Sequence, residues 1–163
     1  MRASCRDVRA LPWRSKALLA FACLVHLSML ISWRLGYLNR FTFDSVATHG
    51  RRGWDFYALY QAGHNALNGV SIYESANERI DVAVPLYTPY RYLPLPALTL
   101  GVLLNALSPL WAYRIWVLVV EVVLLGCAWA AFHSAHEPRR GAVAAAMWLC
   151  FTPYYLEIYL GQF

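Results

Sequence analysis

Apolar and polar positions along the chain are grouped into long blocks, each about the length of a helix. Four blocks are apolar, at residues 17–35, 95–107, 111–132 and 142–160. A helix of about 20 apolar residues is long enough to cross the hydrocarbon core of a bilayer. Ser108-Pro109 separates the second block from the third and predicts a tight hairpin between two helices. The pattern predicts an all-α integral membrane protein with about four hydrophobic helices.

The longest polar segment, residues 36–91, follows the first apolar block, and it contains a second kind of pattern. Apolar positions spaced by three and four residues predict an amphipathic helix over residues 55–68, which Gly69 would end. Its apolar face comprises Phe56, Leu59, Tyr60, Gly63 and Leu67. Its polar face comprises mainly Tyr57, Gln61, His64, Asn65 and Asn68. Such a helix is expected to lie in the membrane interface, with its polar face toward water.

The amino-acid composition supports a membrane protein and indicates which partners to expect. Hydrophobic residues make up 60% of the 163 residues and charged residues 14%, whereas a soluble domain carries about 25% charged residues. The net charge of +5 does not come with a basic face interleaved with aromatic residues. We therefore expect the lipid bilayer as a partner and no nucleic acid.

The distribution of basic residues predicts the orientation in a cell membrane. Residues 1–16 form a basic tail in which Asp7 is the single acid, and basic flanks favour the cytoplasm. The tail is therefore predicted to be cytoplasmic and the 36–91 loop extracytoplasmic, in a multi-pass protein. Alternation of spans would place Arg139 and Arg140 outside, against the same preference, so the side of that loop stays open.

Asp55 is the candidate catalytic residue, because it stands at the start of the predicted loop helix and near the membrane surface. A carboxylate beside an apolar interface can take a proton from an attacking alcohol as a general base. An Asp at this position also suits a helix N-cap, and the two roles are compatible.

Three cations near this helix are candidate phosphate ligands: Arg51, Arg52 and Arg91. Arginine binds phosphate through two parallel hydrogen bonds and keeps its charge at an interface. The alternative is that these side chains extend toward lipid phosphates. Arg91 has the best position, within Tyr-Arg-Tyr at the mouth of the second apolar block.

Ionisable residues inside the apolar blocks should face protein, since their exposure to lipid is costly. His26 is expected to pack between helices. Glu121 has Arg114 seven residues earlier on the same helical face, and we expect these two to form a structural pair. The cysteines and carboxylates show no metal-ligand spacing, so neither a metal site nor a cofactor is expected.

Several short motifs occur in an order that resembles a known family. They are Asp55-x4-Tyr60-x-Ala62, Gly69-x3-Tyr73, Tyr92-Leu-Pro94-Leu-Pro96, Ser108-Pro109 leading to Ala112-x3-Trp116, and Pro153 ahead of Gly161-Gln162. Together they resemble the N-terminal part of glycosyltransferase family 87. Members of that family are polytopic enzymes of the GT-C class that use polyprenyl-phosphate sugars, mostly mannose, as donors.

The resemblance implies a catalytic acid in the first extracytoplasmic loop, and Asp55 is the matching position. Gln162 of the Gly-Gln turn is a candidate substrate-binding residue, and Trp54 and Tyr57 are candidate aromatics for stacking on a sugar. The family has an Asn two residues after the Gln, a position that would follow Phe163. The chain is therefore expected to be an N-terminal fragment of an incomplete GT-C-like fold, with further transmembrane helices in residues 92–163.

The predicted function is transfer of a sugar from a polyprenyl-phosphate donor to a hydroxyl of a glycolipid or glycan acceptor. One base is enough for a single inverting displacement, and no second acid is evident beside Asp55. A transporter or channel fragment remains an alternative, with Glu121 and Arg114 lining its path. A non-catalytic membrane protein is a second alternative, and an inactive truncated product is a third.

Overall fold

A computed structural model describes residues 11–35, 37, 53–73 and 89–151, apart from the side chains of Trp33, Arg34 and Trp54. Every regular element in these ranges is helical, which confirms the all-α prediction. In chain order the helices are α1 (Trp13–Leu35), α2 (Trp54–Leu67), α3 (Pro94–Leu104), α4 (Pro109–Ser134) and α5 (Pro138–Leu149).

Two of these helices are long and apolar enough to cross a membrane. They are the segment Trp13–Ser32 of α1, with 20 residues, and α4, with 26 residues. Helix α5 has 12 residues, and α3 is also shorter than the roughly 20 residues of a span. The structure therefore supports two of the four predicted spans, by length and composition. Residues 152–160 of the fourth apolar block lie outside the described ranges.

The described chain divides into two compact units, and the division falls between Leu118 and Val119 within α4. In the first unit α1 packs against α5. Small side chains dominate the buried contacts, which involve Ala22, Ala128, Ala142, Ala145 and Ala146 together with Leu11, Phe132 and Leu149. A Cβ atom at Gly141 would stand 2.4 Å from the carbonyl oxygen of Phe132, so that position accepts no side chain.

A buried polar contact joins three helices of the first unit. His26 is 4% exposed, and its Nε2 lies 2.6 Å from Oε1 of Glu121 in α4. Its Nδ1 lies 3.3 Å from the carbonyl oxygen of Leu149 at the end of α5. The prediction that His26 packs between helices is confirmed. Glu121 contacts His26, and the guanidinium of Arg114 instead lies 4.9 Å from the ring centre of Trp111.

We expect His26→Ala to destabilise the first unit strongly. The change leaves the half-buried carboxylate of Glu121 without its imidazole partner, and an unsatisfied partner of this kind costs about 1–3 kcal/mol. Thermal unfolding of the detergent-solubilised protein measures the loss. His133→Ala is the control, because Nδ1 of His133 lies 2.9 Å from the carbonyl oxygen of Trp129, one turn earlier in the same helix. Equal unfolding temperatures for the two variants would contradict a stabilising role of the pair.

In the second unit α2 packs against α3 through two glycines. A Cβ atom at Gly63 would stand 2.1 Å from the carbonyl carbon of Gly101, and one at Gly101 would stand 2.8 Å from the carbonyl oxygen of Leu59. The middle of α3, Ala97–Gly101, has π-helical geometry. Nδ2 of Asn105 donates to the carbonyl oxygens of Gly101 and Tyr60, each at 2.8 Å. The two backbones are therefore in direct contact and joined by a side-chain bridge.

Helix α2 is more deeply buried than its amphipathic pattern predicts. The apolar residues Phe56 and Leu59 are fully buried, as expected, but Tyr57, Gln61 and Asn65 of the polar face are only 3%, 2% and 6% exposed. The predicted orientation of this face toward water is therefore wrong for those three residues. Their burial results from packing within the protein, which the local sequence pattern does not show.

Candidate functional site

The site begins at a left-handed glycine that starts α2. Gly53 has φ 76° and forms the N-cap without a side-chain hydrogen bond. A Cβ atom there would stand 2.8 Å from Cε2 of Tyr113, so both backbone geometry and space favour glycine. Asp55 lies in the first turn instead of at the cap. Its predicted N-cap role is therefore wrong, although a carboxylate in the first turn still interacts favourably with the helix dipole.

The end of α2 matches the sequence prediction. The predicted helix, 55–68, and the observed one, Trp54–Leu67, differ by one residue at each end. Gly69 has φ 70°, and its N–H donates to the carbonyl of Ala66, while the N–H of Val70 donates to Asn65 at 2.8 Å. This pair of bonds is the Schellman arrangement that glycine favours after a helix.

The carboxylate of Asp55 is half-buried and contacts the hydroxyl of Tyr92. Partial burial raises the pKa of Tyr92, and the negative charge and hydrogen bond of Asp55 raise it further. The phenol is therefore neutral and donates its proton to a carboxylate oxygen. This contact is the main feature of the site that residue-by-residue analysis missed. The Tyr92-Leu-Pro94 motif singled out Tyr92, but it did not indicate that Asp55 is the partner of Tyr92.

Two more tyrosines hold the segment that carries Tyr92. The hydroxyl of Tyr73 donates to the carbonyl of Tyr92 at 3.3 Å, and the hydroxyl of Tyr90 donates to the carbonyl of Leu93 at 2.6 Å. The ring centre of Tyr90 lies 6.1 Å from that of Tyr73 and 5.7 Å from that of Tyr92. We refer to Tyr73, Tyr90 and Tyr92 as the tyrosine cluster. It fixes the backbone beside the start of α2.

Arg91 stands between Tyr90 and Tyr92 in the sequence, and its side chain is exposed. It is thus the sequence neighbour of the residue that bonds to Asp55. The structure shows Arg91 as an exposed cation and Asp55 as a half-buried acid. An exposed guanidinium here is compatible with both predicted roles, binding of a substrate phosphate and extension toward lipid phosphates.

Tyr57 is located in a second group of aromatic rings. Its ring centre lies 5.6 Å from those of Phe56 and Tyr113, and Phe56 also contacts Trp116 at 6.1 Å. Burial raises the pKa of Tyr57, and the positive charge of Arg114 opposes that shift. Because protein side chains already cover the ring, its burial does not favour the predicted stacking on a sugar.

A buried amide pair follows Tyr57 on the same helix. Nε2 of Gln61 donates to Oδ1 of Asn65 at 2.9 Å, and Nδ2 of Asn65 donates to the carbonyl of Ser71 at 3.2 Å. Among the described residues, Oε1 of Gln61 has no hydrogen-bond partner. These bonds tie the end of α2 to the segment that leads to Tyr73.

Four other predicted site residues have no described side chain. Arg51, Arg52 and Gln162 lie outside the described residues, and Trp54 is described by its backbone alone. In the described ranges no three side chains of His, Cys, Asp or Glu are grouped as metal ligands. The structure therefore links Asp55 with Tyr92, and Arg91 adjoins this pair only as the residue before Tyr92 in the sequence.

Comparison of the chain with protein-family models, with curated proteins and with solved structures found no match.

Proposed function

We propose that the protein is a membrane glycosyltransferase that transfers a sugar, mannose in the first instance, from a polyprenyl-phosphate donor to an acceptor hydroxyl. One observation carries the proposal: the half-buried carboxylate of Asp55 is held by Tyr92 at the start of a buried helix, with the exposed Arg91 next in sequence. The order of motifs that resembles glycosyltransferase family 87 supports the same assignment. A base and a nearby cation are the two groups that this reaction needs.

The reaction is a single displacement at the anomeric carbon. The acceptor oxygen forms a bond to this carbon while the bond from the carbon to the phosphate oxygen breaks. Asp55 takes the hydroxyl proton of the acceptor, and the polyprenyl phosphate leaves with the electron pair of the broken bond. The configuration at the anomeric carbon is inverted. No cofactor takes part, because the phosphate already activates the donor.

The membrane setting of the proposal rests on α1 and α4. Both are long and apolar enough to cross a bilayer, and a lipid-linked donor reaches its enzyme within that bilayer. We propose a multi-pass protein of the cell membrane with a cytoplasmic N-terminus. The start of α2 then lies on the extracytoplasmic side, where a glycolipid or glycan acceptor is available.

Arg91 is proposed to bind the phosphate of the donor. Arg91→Gln is expected to raise the KM for the polyprenyl-phosphate sugar roughly 10- to 100-fold, since hydrogen bonds to charged groups contribute about 1.5–3 kcal/mol. Initial rates at varied donor concentration measure this effect. Arg139→Gln is the control, because Arg139 is also an exposed arginine but lies at the start of α5. An unchanged KM in Arg91→Gln would remove Arg91 from the donor site.

The donor class is tested with purified protein in liposomes that contain a lipid and glycan extract as acceptor. Labelled polyprenyl-phosphate mannose and polyprenyl-phosphate glucose are compared with GDP-mannose. We expect label from a polyprenyl-phosphate sugar to enter the acceptor fraction, and no label from the nucleotide sugar. Purification matters, because other membrane enzymes convert nucleotide sugars to lipid-linked ones. The proposal would be overturned if GDP-mannose were the one donor that gave transfer. It would also be overturned if none of the three donors gave transfer.

A further inference from the structure

Contacts at two heights fix the direction in which α4 and α5 of the first unit run. His26 of α1 lies beside both Glu121 of α4 and the carbonyl of Leu149 at the end of α5. At the start of α5, Gly141 packs directly against the carbonyl of Phe132, near the end of α4. The path from Glu121 to Phe132 along α4 therefore follows the path from Leu149 back to Gly141, and the two helices are antiparallel.

Helix α1 is also antiparallel to α4. In the buried cluster of this unit, the residues contributed by the start of the chain precede His26, and those contributed by α4 follow Glu121. They are Leu11, Leu19 and Ala22 from the former and Ala128 and Phe132 from the latter. The start of α1 and the end of α4 therefore lie at the same end of the unit. Trp13 and Ser134 are each 13 residues from the contact between His26 and Glu121, which is about 20 Å of helix.

Exposed cations from two distant parts of the sequence meet at this shared end. Arg14 and Lys16 lie in the first turn of α1, and Arg139 and Arg140 lie in the first turn of α5. Among the described residues of this end Glu137 is the single carboxylate, and it pairs with Arg140 at 3.2 Å. We refer to the four cations as the basic end. The local charge is strongly positive, although neither segment alone is unusual.

The outer surface of the unit becomes apolar with distance from the basic end. Trp13 is 73% exposed and Trp129 is 66% exposed, and both lie within a few residues of this end along their helices. Farther along, α1 and α4 expose apolar side chains, among them Phe21, Leu24, Leu27, Val122 and Val123. Cations and tryptophans beside an apolar belt are typical of the boundary between a bilayer and water.

We propose that the basic end binds the phosphate groups of anionic phospholipids in the cytoplasmic leaflet, with the 133–140 turn on the same side as the N-terminal tail. Charge complementarity selects this partner, because the cytoplasmic leaflet carries anionic lipids that attract clustered cations. The proposal concerns the first unit and does not depend on sugar transfer.

The shared end also settles the side on which Arg139 and Arg140 are proposed to lie. Alternation of four spans would place them outside, against the preference of basic residues for the cytoplasm. With α1 leading outward and α4 leading back, both arginines are cytoplasmic and the conflict disappears. Helix α3, which is too short for a span, then does not cross the membrane.

Labelling of single cysteines tests the shared side. Cys5 of the tail is kept as one reporter and Ser134→Cys supplies the other, each in a protein whose remaining cysteines are replaced by alanine. A membrane-impermeant maleimide is added to spheroplasts of a bacterial host, before and after lysis. We expect both reporters to react only after lysis. Labelling of either reporter in intact spheroplasts overturns the proposal.

Lipid binding is tested with purified protein in detergent, titrated with short-chain phosphatidylglycerol, phosphatidylcholine or inorganic phosphate. Arg14→Gln/Arg139→Gln removes one cation from each segment of the basic end. Arg91→Gln/Arg114→Gln is the matched control, because it removes two exposed arginines from the second unit. The match extends to ring contacts, since Arg14 and Arg114 each lie over a tryptophan ring, at 5.8 and 4.9 Å.

We expect the first double variant to bind phosphatidylglycerol roughly 10- to 30-fold more weakly than the wild type, or about 5-fold for each cation. The control should lose much less. Equal losses in the two variants would show an effect of net charge alone and overturn the proposal. Wild-type protein that binds phosphatidylcholine or inorganic phosphate as tightly as phosphatidylglycerol would also overturn it. Absence of sugar transfer would overturn the proposed function and leave the lipid contact standing.

Discussion

Gly63→Ala is expected to separate α2 from α3 and to destabilise the second unit by more than the usual cost of overpacking, about 1–3 kcal/mol. The added methyl group would stand 2.1 Å from the carbonyl carbon of Gly101, 2.3 Å from its oxygen and 2.6 Å from the nitrogen of Val102. All three are backbone atoms, which cannot rotate away as a side chain can. The two helices must move apart instead.

Gly126→Ala is the matched control for this change. Gly126 lies within α4, and a Cβ atom there meets nothing within 4 Å. Alanine is favoured over glycine inside a helix by about 1 kcal/mol, so this variant should be unchanged or slightly stabilised. Thermal unfolding in detergent compares the two. A Gly63→Ala protein that unfolds at the wild-type temperature would contradict the close helix crossing.

A consequence for activity accompanies the loss of stability. Asp55 is carried by α2, whereas Tyr92 lies two residues before α3, so separating the helices also separates the acid from Tyr92. Gly63→Ala protein that remains folded should therefore lose transfer activity. A displacement of about 1 Å in a catalytic group lowers the rate on the order of 100-fold.

Local sequence signals predicted the ends of elements well. Gly69 marked the end of α2, because a left-handed residue is needed for the bonds of Gly69 and Val70 to the last turn. Ser108-Pro109 marked the start of α4, where proline fits the first turn and the carbonyl of Ser108 accepts from Ala112 at 2.9 Å. Both signals depend on backbone geometry within a few residues.

Burial of the polar face of α2 could not be predicted in the same way. The periodicity correctly separated Phe56 and Leu59 from Gln61 and Asn65, but it does not say what covers each face. Gln61 and Asn65 bond to each other, which lowers the cost of burying two amides. A polar pair spaced by four residues looks the same in sequence whether it faces water or protein.

Long-range partners were the other feature that sequence did not show. Arg114 and Glu121 share a helical face, which made them a reasonable pair, yet Glu121 contacts His26, 95 residues away along the chain. Asp55 and Tyr92 are likewise brought together only by the packing of α2 and α3. Spacing within one helix predicts neighbours on that helix, whereas contacts between helices depend on the fold.

The contact with His26 also bears on the transporter alternative. That alternative requires Glu121 to line a path through the helices, but Glu121 is a partner of a buried imidazole in the first unit. The glycosyltransferase proposal instead depends on Asp55, in the second unit. Variants of Glu121 should therefore change stability, and variants of Asp55 should change transfer.

The measurement that tests the central claim most directly is transfer of labelled mannose from polyprenyl-phosphate mannose by the wild type and by Asp55→Asn in the same liposomes. Asparagine keeps the size of the side chain and cannot take a proton at working pH. We expect Asp55→Asn to lower kcat roughly 100- to 10,000-fold, the usual contribution of a general base, while the unfolding temperature stays close to that of the wild type.

Glu137→Gln is the control in this experiment, because it also converts a carboxylate to an amide. Glu137 is exposed and lies 3.2 Å from Arg140 in a surface ion pair of small energetic value. We expect this variant to transfer mannose at the wild-type rate. Loss of transfer in Asp55→Asn alone is the result that our account predicts. Equal transfer by the wild type and a folded Asp55→Asn protein would contradict a general base at Asp55.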